Sequence, residues 1–164
     1  MDAIIQIIAA GLGTLGFAML FHLRPALLGQ AAFCGMLAWT AYYLIMKETG
    51  SVAFSAFLST AVATFYAERL AESRKVPATL FVLPAALPLI PGGPLYYTMR
   101  AVVNANAAEA WFHGVRTLQF ALGIAGGIII ASACGLVLQN ISRRSRKSLR
   151  DRRVRRRLTV TRES

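Results

Sequence analysis

Hydroxyl groups, a guanidinium and several helix-breaking residues lie close together between Pro88 and Arg100. Tyrosine and threonine hydroxyls and an arginine side chain can hold a carboxylate or another small polar group, and prolines and glycines free backbone groups for the same purpose. This combination predicts a binding site rather than a catalytic centre. The residues predicted to bind a small molecule are Pro88, Pro91, Gly92, Gly93, Tyr96, Tyr97, Thr98 and Arg100.

The composition indicates the elements that must position these residues. The 164 residues are 56% hydrophobic and 15% charged, with a mean hydropathy of +0.53, whereas a soluble domain carries about 25% charged residues. A membrane span needs roughly 20 mostly apolar residues. Five such runs predict an integral membrane protein of the all-α class with five transmembrane segments, at 3–21, 26–46, 52–70, 76–99 and 117–141.

The fourth apolar run is expected to be broken. Five of the six prolines lie between residues 77 and 94, and Gly92-Gly93 adds flexibility. Residues 76–90 would form only about 22 Å of helix, short of the roughly 30 Å hydrocarbon core. Interrupted apolar segments mark binding sites in transporters, and a second half-helix from Leu95 would turn its N-terminal amides toward the glycines. The alternative is a plain Pro-Gly turn at the outer face of the membrane, with Arg100 as an interfacial anchor.

The distribution of basic residues predicts the orientation, because cytoplasmic segments are enriched in Lys and Arg. Five spans with the N-terminus outside place 15 basic residues inside and 3 outside. If the fourth segment were a re-entrant hairpin, the numbers would be 12 and 6. We therefore expect five crossings, with the N-terminus outside and the C-terminus inside. The transmembrane domain is predicted at 1–142.

The C-terminal residues 143–164 are predicted to form a disordered cytoplasmic tail. They carry 11 basic and 2 acidic residues, so most of the formal net charge of +11 belongs to them. A basic cluster directly after a span attracts anionic lipid at about 1 kcal/mol per residue. Nucleic-acid binding is the alternative for such a cluster, and it is not expected because the tail adjoins the membrane.

Small residues recur at four-residue spacing in three of the predicted spans, which places them on one helix face. Such faces let helix backbones approach closely in a membrane, so we expect them to pack, against a helix either of this chain or of another chain. They are Ala9 and Gly13 in the first span, Ser55, Ser59, Ala63 and Ala67 in the third, and Gly123, Gly127, Ala131 and Gly135 in the fifth. An aromatic belt is expected toward the end of the second span, formed by Trp39, Tyr42 and Tyr43.

The motif P-x-x-P-G-G-x-x-Y-Y-T-M, residues 88–99, resembles the signature of the threonine/serine exporter family. The stretch GFAMLFHLRP, residues 16–25, is similar to the first span of that family and its exit. The chain resembles in particular the small subunit, the counterpart of the C-terminal half of the fused exporters. This resemblance implies an exporter in the bacterial inner membrane that acts with a larger membrane subunit. Its substrates would be threonine and serine, or a dicarboxylate such as succinate.

Other functions find less support in the sequence. The predicted spans contain no catalytic Ser/His/Asp set, HExxH or paired carboxylates, so an enzyme is not expected. Cys34 and Cys134 lack metal-ligand spacing, so no metal or cofactor is expected. A non-transporting scaffold that stabilises a larger transporter is the remaining alternative. The centres of the predicted spans carry no ionisable residue. A proton relay would therefore come from the partner or from residues 100–116, the segment between the fourth and fifth spans that is predicted to lie outside. The candidates in this segment are Arg100, Glu109, His113 and Arg116.

Overall fold

The computed structural model describes the backbone of residues 3–160 and the side chains of residues 3–137. Every regular element in this range is helical, which confirms the all-α class. The order is α1 (Ala3–Leu20), α2 (Pro25–Thr49), α3 (Val52–Arg74), α4 (Thr79–Ala86), a 3₁₀ turn (Leu87–Leu89), α5 (Gly92–Val103) and α6 (Ala107–Val160).

Proline, glycine and left-handed residues set the ends of the first three helices. Pro25 occupies the first turn of α2, where its missing N–H leaves no hydrogen bond unmade. Gly50 ends α2 in the left-handed region (φ 64°), and its N–H donates to the Met46 carbonyl at 3.0 Å. Lys75 ends α3 in the same region (φ 56°). Because the connections are short, α2 lies antiparallel to both α1 and α3.

Three helices are long and apolar enough to cross a membrane, namely α1, α2 and residues 107–137 of α6. α4 with the 3₁₀ turn and α5 pass the same test as one pair that is bent by 53°. α3 has 23 residues but lies outside this group, because it carries charged residues in its last turns and buries Ser55, Ser59, Thr60 and Thr64. The described residues therefore contain three to four candidate spans. The number of five and the orientation stay predictions.

A hydrophobic core of the bundle lies at the end where α1 and α3 finish and where α2 and α4 begin. Phe81 of α4 is fully buried there among mostly small side chains of the other three helices. Small side chains let helices approach closely where lipid provides no hydrophobic drive for association. We call this group the Phe81 cluster, and its buried members are Ala18, Leu23, Leu27, Ala31, Cys34, Ala67, Ala71, Phe81 and Ala85. The cluster anchors α4 in the bundle.

Glycines bring α6 into contact with α3. A Cβ built on Gly123 would lie 2.6 Å from the Ala53 carbonyl oxygen, and one on Gly127 would meet the carbonyl oxygen of Phe57. A methyl group at either position would therefore push the two helices apart. Both contacts advance by four residues along each helix, so α6 runs parallel to α3 and begins at the Val52 end. The chain thus passes from one end of α3 to the other within the segment that contains the break.

The predicted packing of the small faces is confirmed for two of the three spans. On α3 and on the part of α6 before residue 133, every member of the predicted face is buried: Ser55, Ser59, Ala63, Ala67, Gly123, Gly127 and Ala131. On α1, Ala9 and Gly13 are exposed in this chain, so packing of the first face against a helix of another chain stays a prediction.

The chain divides into two compact units between Ser132 and Ala133. The second unit continues α6 as far as Val160. The boundary predicted at residue 142, and the disorder predicted for residues 143–164, stay predictions, although the structure continues the helix through most of this stretch. Residues 161–164 lie outside the described residues.

Candidate functional site

The interruption predicted for the fourth apolar run is present. The helical path leaves α4 at Ala86 and tightens into the 3₁₀ turn. It becomes extended at Ile90 (φ −62°, ψ 127°) and resumes as α5 at Gly92. The regular hydrogen-bond pattern of an α-helix cannot pass through this stretch, because three of its residues have no N–H, namely Pro88, Pro91 and Pro94. The two helical parts meet at an angle of 53°.

Two of the carbonyl groups at the break are paired locally. In a continuous helix, the carbonyls of Leu87 and Ile90 would accept from residues 91 and 94, which are prolines. Instead, the Ile90 N–H donates to the Leu87 carbonyl at 3.1 Å, and the Gly92 N–H donates to the Ile90 carbonyl at 2.8 Å. The turn thereby satisfies backbone groups that would be costly to leave unpaired at membrane depth.

α5 begins three residues earlier than the sequence suggested, at Gly92 instead of Leu95. The N-terminus of a helix usually presents four free N–H groups. Here the Gly92 N–H is already bonded to Ile90, and Pro94 has none. The carboxylate-binding site that was expected at this helix end therefore has fewer free N–H donors than an ordinary helix N-terminus.

The break lies at mid-length of the bundle. Leu89, at the end of the 3₁₀ turn, is 1% exposed and packs with Ala38 and Ala63, which lie near the middle of α2 and α3. Trp39, Tyr42 and Ile124 cover this group as partly buried side chains. A segment that breaks at this level exposes its irregular backbone far from either end of the bundle, which is where interrupted helices of transporters place their sites.

A cavity of about 320 Å³ adjoins the break. Its walls are one face of α1, Trp39 of α2, and the beginning of the 3₁₀ turn; the lining residues are Gln6, Ala9, Ala10, Gly13, Phe17, Trp39, Leu87 and Pro88. Ala9 and Gly13, which were expected to pack against a helix, line this space instead. We call it the α1–α2 cavity.

Two polar side chains interrupt the apolar lining of the α1–α2 cavity. One is Gln6, and the other is Trp39, whose indole Nε1 is buried and has no hydrogen-bond partner among the described residues. Gln6 is not among the residues predicted from the sequence to bind a small molecule, and Trp39 was predicted to belong to an aromatic belt. Gln6 could have been noticed as the one glutamine inside the apolar run of residues 3–21.

Of the residues predicted to bind a small molecule, the structure brings only Pro88 to the α1–α2 cavity. Gly92 and Gly93 are exposed, and a Cβ built on either would meet no atom within 4 Å. Arg100 is also exposed. Thr98 uses its hydroxyl to donate to the Pro94 carbonyl of its own helix at 2.7 Å. Pro91 immediately precedes α5, and the remaining predicted residues lie on α5, apart from this cavity.

The residues of α5 face the beginning of α6. The Tyr97 ring lies 5.3 Å from the imidazole of His113, and the Thr98 methyl group would be 3.6 Å from a Cβ on Gly114. Tyr96 packs its ring against Tyr97 and is otherwise 63% exposed. α5 thus forms a hairpin with the start of α6.

The ionisable residues suggested as a relay lie on α5 and on the first turns of α6. Glu109 is exposed, and the His113 imidazole contacts the Tyr97 ring in a tilted arrangement and the Phe112 ring edge-on. Arg116 lines a second cavity of about 440 Å³ at the Val52 end of α3, together with Met46, Gly50, Val52, Trp111, Phe112, Val115 and Gln119. None of these groups lies at the α1–α2 cavity.

A bundle of apolar helices with a proline-interrupted segment and an adjoining cavity is typical of polytopic membrane transporters. A family model described as "Threonine/Serine exporter, ThrE" matches residues 6–134, and the chain belongs to this family. The resemblance drawn from the motif at residues 88–99 is thereby confirmed. Comparison with curated proteins and with solved structures returned no match. The chain is accordingly a multi-pass membrane protein from a family of transporters, not of enzymes.

Proposed function

We propose that this chain is one subunit of a secondary exporter for threonine and serine, or for a small carboxylate such as succinate, in the bacterial inner membrane. The observation that carries the proposal is the family match over residues 6–134. The break at mid-length of the bundle supports it, because discontinuous segments near the midplane form the sites of secondary transporters.

Five crossings, with the N-terminus outside, are the topology that we propose. α6 runs parallel to α3 and begins at the Val52 end, so α4 and α5 together carry the chain from the inner to the outer side. The 23 residues of α3 extend about 35 Å, enough for a span. The 15 to 3 ratio of basic residues favours the orientation.

A larger membrane subunit is proposed as the partner because the site in this chain is incomplete. An amino acid carries both an ammonium and a carboxylate group, and each needs a counter-charge or several hydrogen bonds when it leaves water. Among the residues whose side chains the structure describes, none that lines the α1–α2 cavity is charged. The charged partners for the substrate, and any intramembrane proton relay, would therefore come from the other subunit.

The role proposed for each predicted site residue follows from its position in the structure. Pro88 contacts the cavity directly. Tyr96, Tyr97, Thr98 and Arg100 belong to the α5 hairpin on the outer side of the break, where they would meet a substrate as it leaves. Gly92 and Gly93 connect the two regions and allow α5 to change its angle.

The basic tail, residues 143–164, is proposed to bind anionic lipid on the cytoplasmic surface. Its eleven basic residues are attracted to anionic lipid head groups, and salt screens this attraction. A peptide of this sequence should sediment with vesicles that contain phosphatidylglycerol and should be released by salt. Equal binding to uncharged vesicles would contradict the proposal.

The exporter proposal is tested by efflux of labelled threonine, serine and succinate from preloaded cells. The cells would express this chain alone, the candidate larger subunit alone, or both. We expect efflux only when both chains are present. A full rate from the larger subunit alone would make this chain a scaffold, which is the alternative that the sequence left open, and no efflux of any of the three compounds from the pair would contradict the exporter function.

A further inference from the structure

We propose that a net-anionic phospholipid binds in the cavity at the Val52 end of α3, with its phosphate on the guanidinium of Arg116. The last turn of α2, the start of α3 and the first turns of α6 form the walls of this cavity, which we call the Arg116 cavity. The proposal is independent of the exporter function, because it requires only that the chain lies in a membrane.

The lining of the Arg116 cavity combines a polar side with apolar walls. Arg116 and Gln119 are three residues apart on α6, so they share one face of that helix. The other lining residues are Met46, Gly50, Val52, Trp111, Phe112 and Val115. A soluble anion needs polar groups on all sides, whereas a phospholipid presents a phosphate directly beside apolar chains. The cavity of about 440 Å³ also falls within the range of about 300–1,000 Å³ that ligand pockets cover.

The charge of Arg116 is available to a ligand. The ion pair among the described side chains joins Arg69 and Glu72, so no carboxylate of residues 3–137 pairs with Arg116. Glu48, in the last turn of α2, and Glu109, in the first turn of α6, are exposed and do not line the cavity. A charge beside apolar walls is unfavourable without a counter-charge, and a phosphate can accept two parallel N–H bonds from a guanidinium.

The same lining favours a lipid with a net negative charge. The ammonium group of a zwitterionic lipid would need an acidic partner, and no residue that the structure places in the lining is acidic. The amide of Gln119 can donate to a further phosphate or ester oxygen. The head group of phosphatidylglycerol, which carries one negative charge and hydroxyl groups, therefore suits the cavity better than that of phosphatidylcholine.

Arg116 lies at the level where a bilayer places its phosphate groups. The close approach of Gly123 to the Ala53 carbonyl oxygen brings Gly123 level with the first turn of α3. Arg116 precedes Gly123 by two helical turns, about 10 Å of helix, and comes directly before the predicted span at 117–141. The exposed Trp111, one turn further out, is typical of a membrane interface.

Trp111 provides the signal for a test, because it lines the Arg116 cavity and is 76% exposed. In the full-length chain with Trp39→Phe, Trp111 is the remaining tryptophan. This chain would be reconstituted into vesicles of phosphatidylcholine and phosphatidylglycerol in which one lipid or the other carries bromine on its acyl chains. Bromine quenches tryptophan fluorescence on contact, so the two series together give the preference of the Trp111 site for phosphatidylglycerol.

We expect Arg116→Gln to lower this preference by about fivefold, the factor that one basic residue contributes to the attraction of anionic lipid. Arg100→Gln is the matched control, because Arg100 is also exposed but lies on α5 outside the lining of the cavity. It should keep the preference of the parent chain. The basic tail is present in all three proteins, so its own attraction for lipid cancels, and equal circular dichroism spectra show that all three are folded.

An unchanged preference in Arg116→Gln would overturn the proposal, and so would an equal loss in Arg100→Gln, which would reduce the effect to general surface charge. A further measurement adds inorganic phosphate or threonine to the parent chain at constant ionic strength. Quenching by brominated phosphatidylglycerol should persist. Recovery of the fluorescence would identify a site for soluble anions and overturn the assignment to a lipid.

Discussion

The two halves of the interrupted segment are both apolar, yet they are held in different ways. α4 buries Phe81 and Ala85 among α1, α2 and α3, whereas Ala101 is the buried residue of α5. α5 lies instead against the start of α6, where Thr98 approaches Gly114. The half before the break is part of the bundle, and the half after it belongs to a hairpin.

This difference has a cause in the side chains. Phe81 and Ala85 are four residues apart and so share one face of α4, which fits between the small faces of its neighbours. α5 carries Tyr96, Tyr97 and Arg100, whose hydroxyl and guanidinium groups are too polar for such a face. A proline and glycine interruption can thus join a half-helix anchored in the bundle to one that is held mainly by its own hairpin partner.

The prediction with the largest expected effect is that the start of α4 and the end of α5 lie on opposite sides of the membrane. After Cys34 and Cys134 are replaced by alanine, single cysteines would be introduced at Lys75, before α4, and at Asn104, after α5, both of which are exposed. A membrane-impermeant maleimide on intact cells should label Asn104→Cys, and Lys75→Cys only after permeabilisation.

Ser51→Cys, in the exposed connection before α3, is the control and should label from outside. Labelling of both test positions from the same side would mean that the fourth segment is re-entrant. Labelling of Lys75→Cys alone would keep the crossing and reverse the proposed orientation.

The second prediction compares stability in the two halves. Phe81→Ala should lower the free energy of unfolding by about 3–5 kcal/mol, because it leaves a cavity in the Phe81 cluster. Tyr97→Ala should cost much less, since that side chain is 47% exposed. Unfolding of both variants in detergent, followed by circular dichroism, measures the difference. Equal losses would mean that α5 is as firmly packed as α4.

The third prediction concerns the anchoring of α6, to which α5 is attached. Gly127→Ala should destabilise the protein by roughly 1–3 kcal/mol, because the new methyl group would overlap the Phe57 carbonyl oxygen. Gly16→Ala is the matched control, since a Cβ there would meet no atom within 4 Å. The same unfolding measurement applies, and a neutral Gly127→Ala would contradict the close contact between α6 and α3.

Much of the fold could be predicted from the sequence because helix ends and breaks depend on local chemistry. Pro25 and the interruption after Ala86 fall where proline geometry requires them. The small faces of α3 and α6 were also predicted, since four-residue spacing determines a helix face. Whether α3 spans the membrane was harder to predict, because its buried serines and threonines lower the hydropathy of a helix that lies inside the bundle.

The candidate site was predicted less well, because its residues come from three separated parts of the chain. The motif at residues 88–99 contributes Pro88 to the α1–α2 cavity, and the others are Gln6 and Trp39 with their neighbours. Which small face packs, and which remains open as a cavity, depends on tertiary contacts. Ala9 and Gly13 have the same spacing as the packed glycines of α6 and yet face open space.

The central claim, that the break is part of the transport site, is tested most directly by Gly92→Ala in the two-subunit exporter. A Cβ at Gly92 would meet no atom within 4 Å, and Gly92 does not adopt a left-handed φ. The substitution should therefore leave folding and assembly unchanged and restrict only the backbone freedom at the break.

The measurement is threonine efflux from preloaded cells, with Gly16→Ala as the control glycine and with co-purification of the two subunits as the check on assembly. The account predicts that Gly16→Ala exports at the wild-type rate and that Gly92→Ala assembles but exports no more than cells without this chain. Wild-type efflux by an assembled Gly92→Ala exporter would contradict the claim and reduce the break to a turn between two helices.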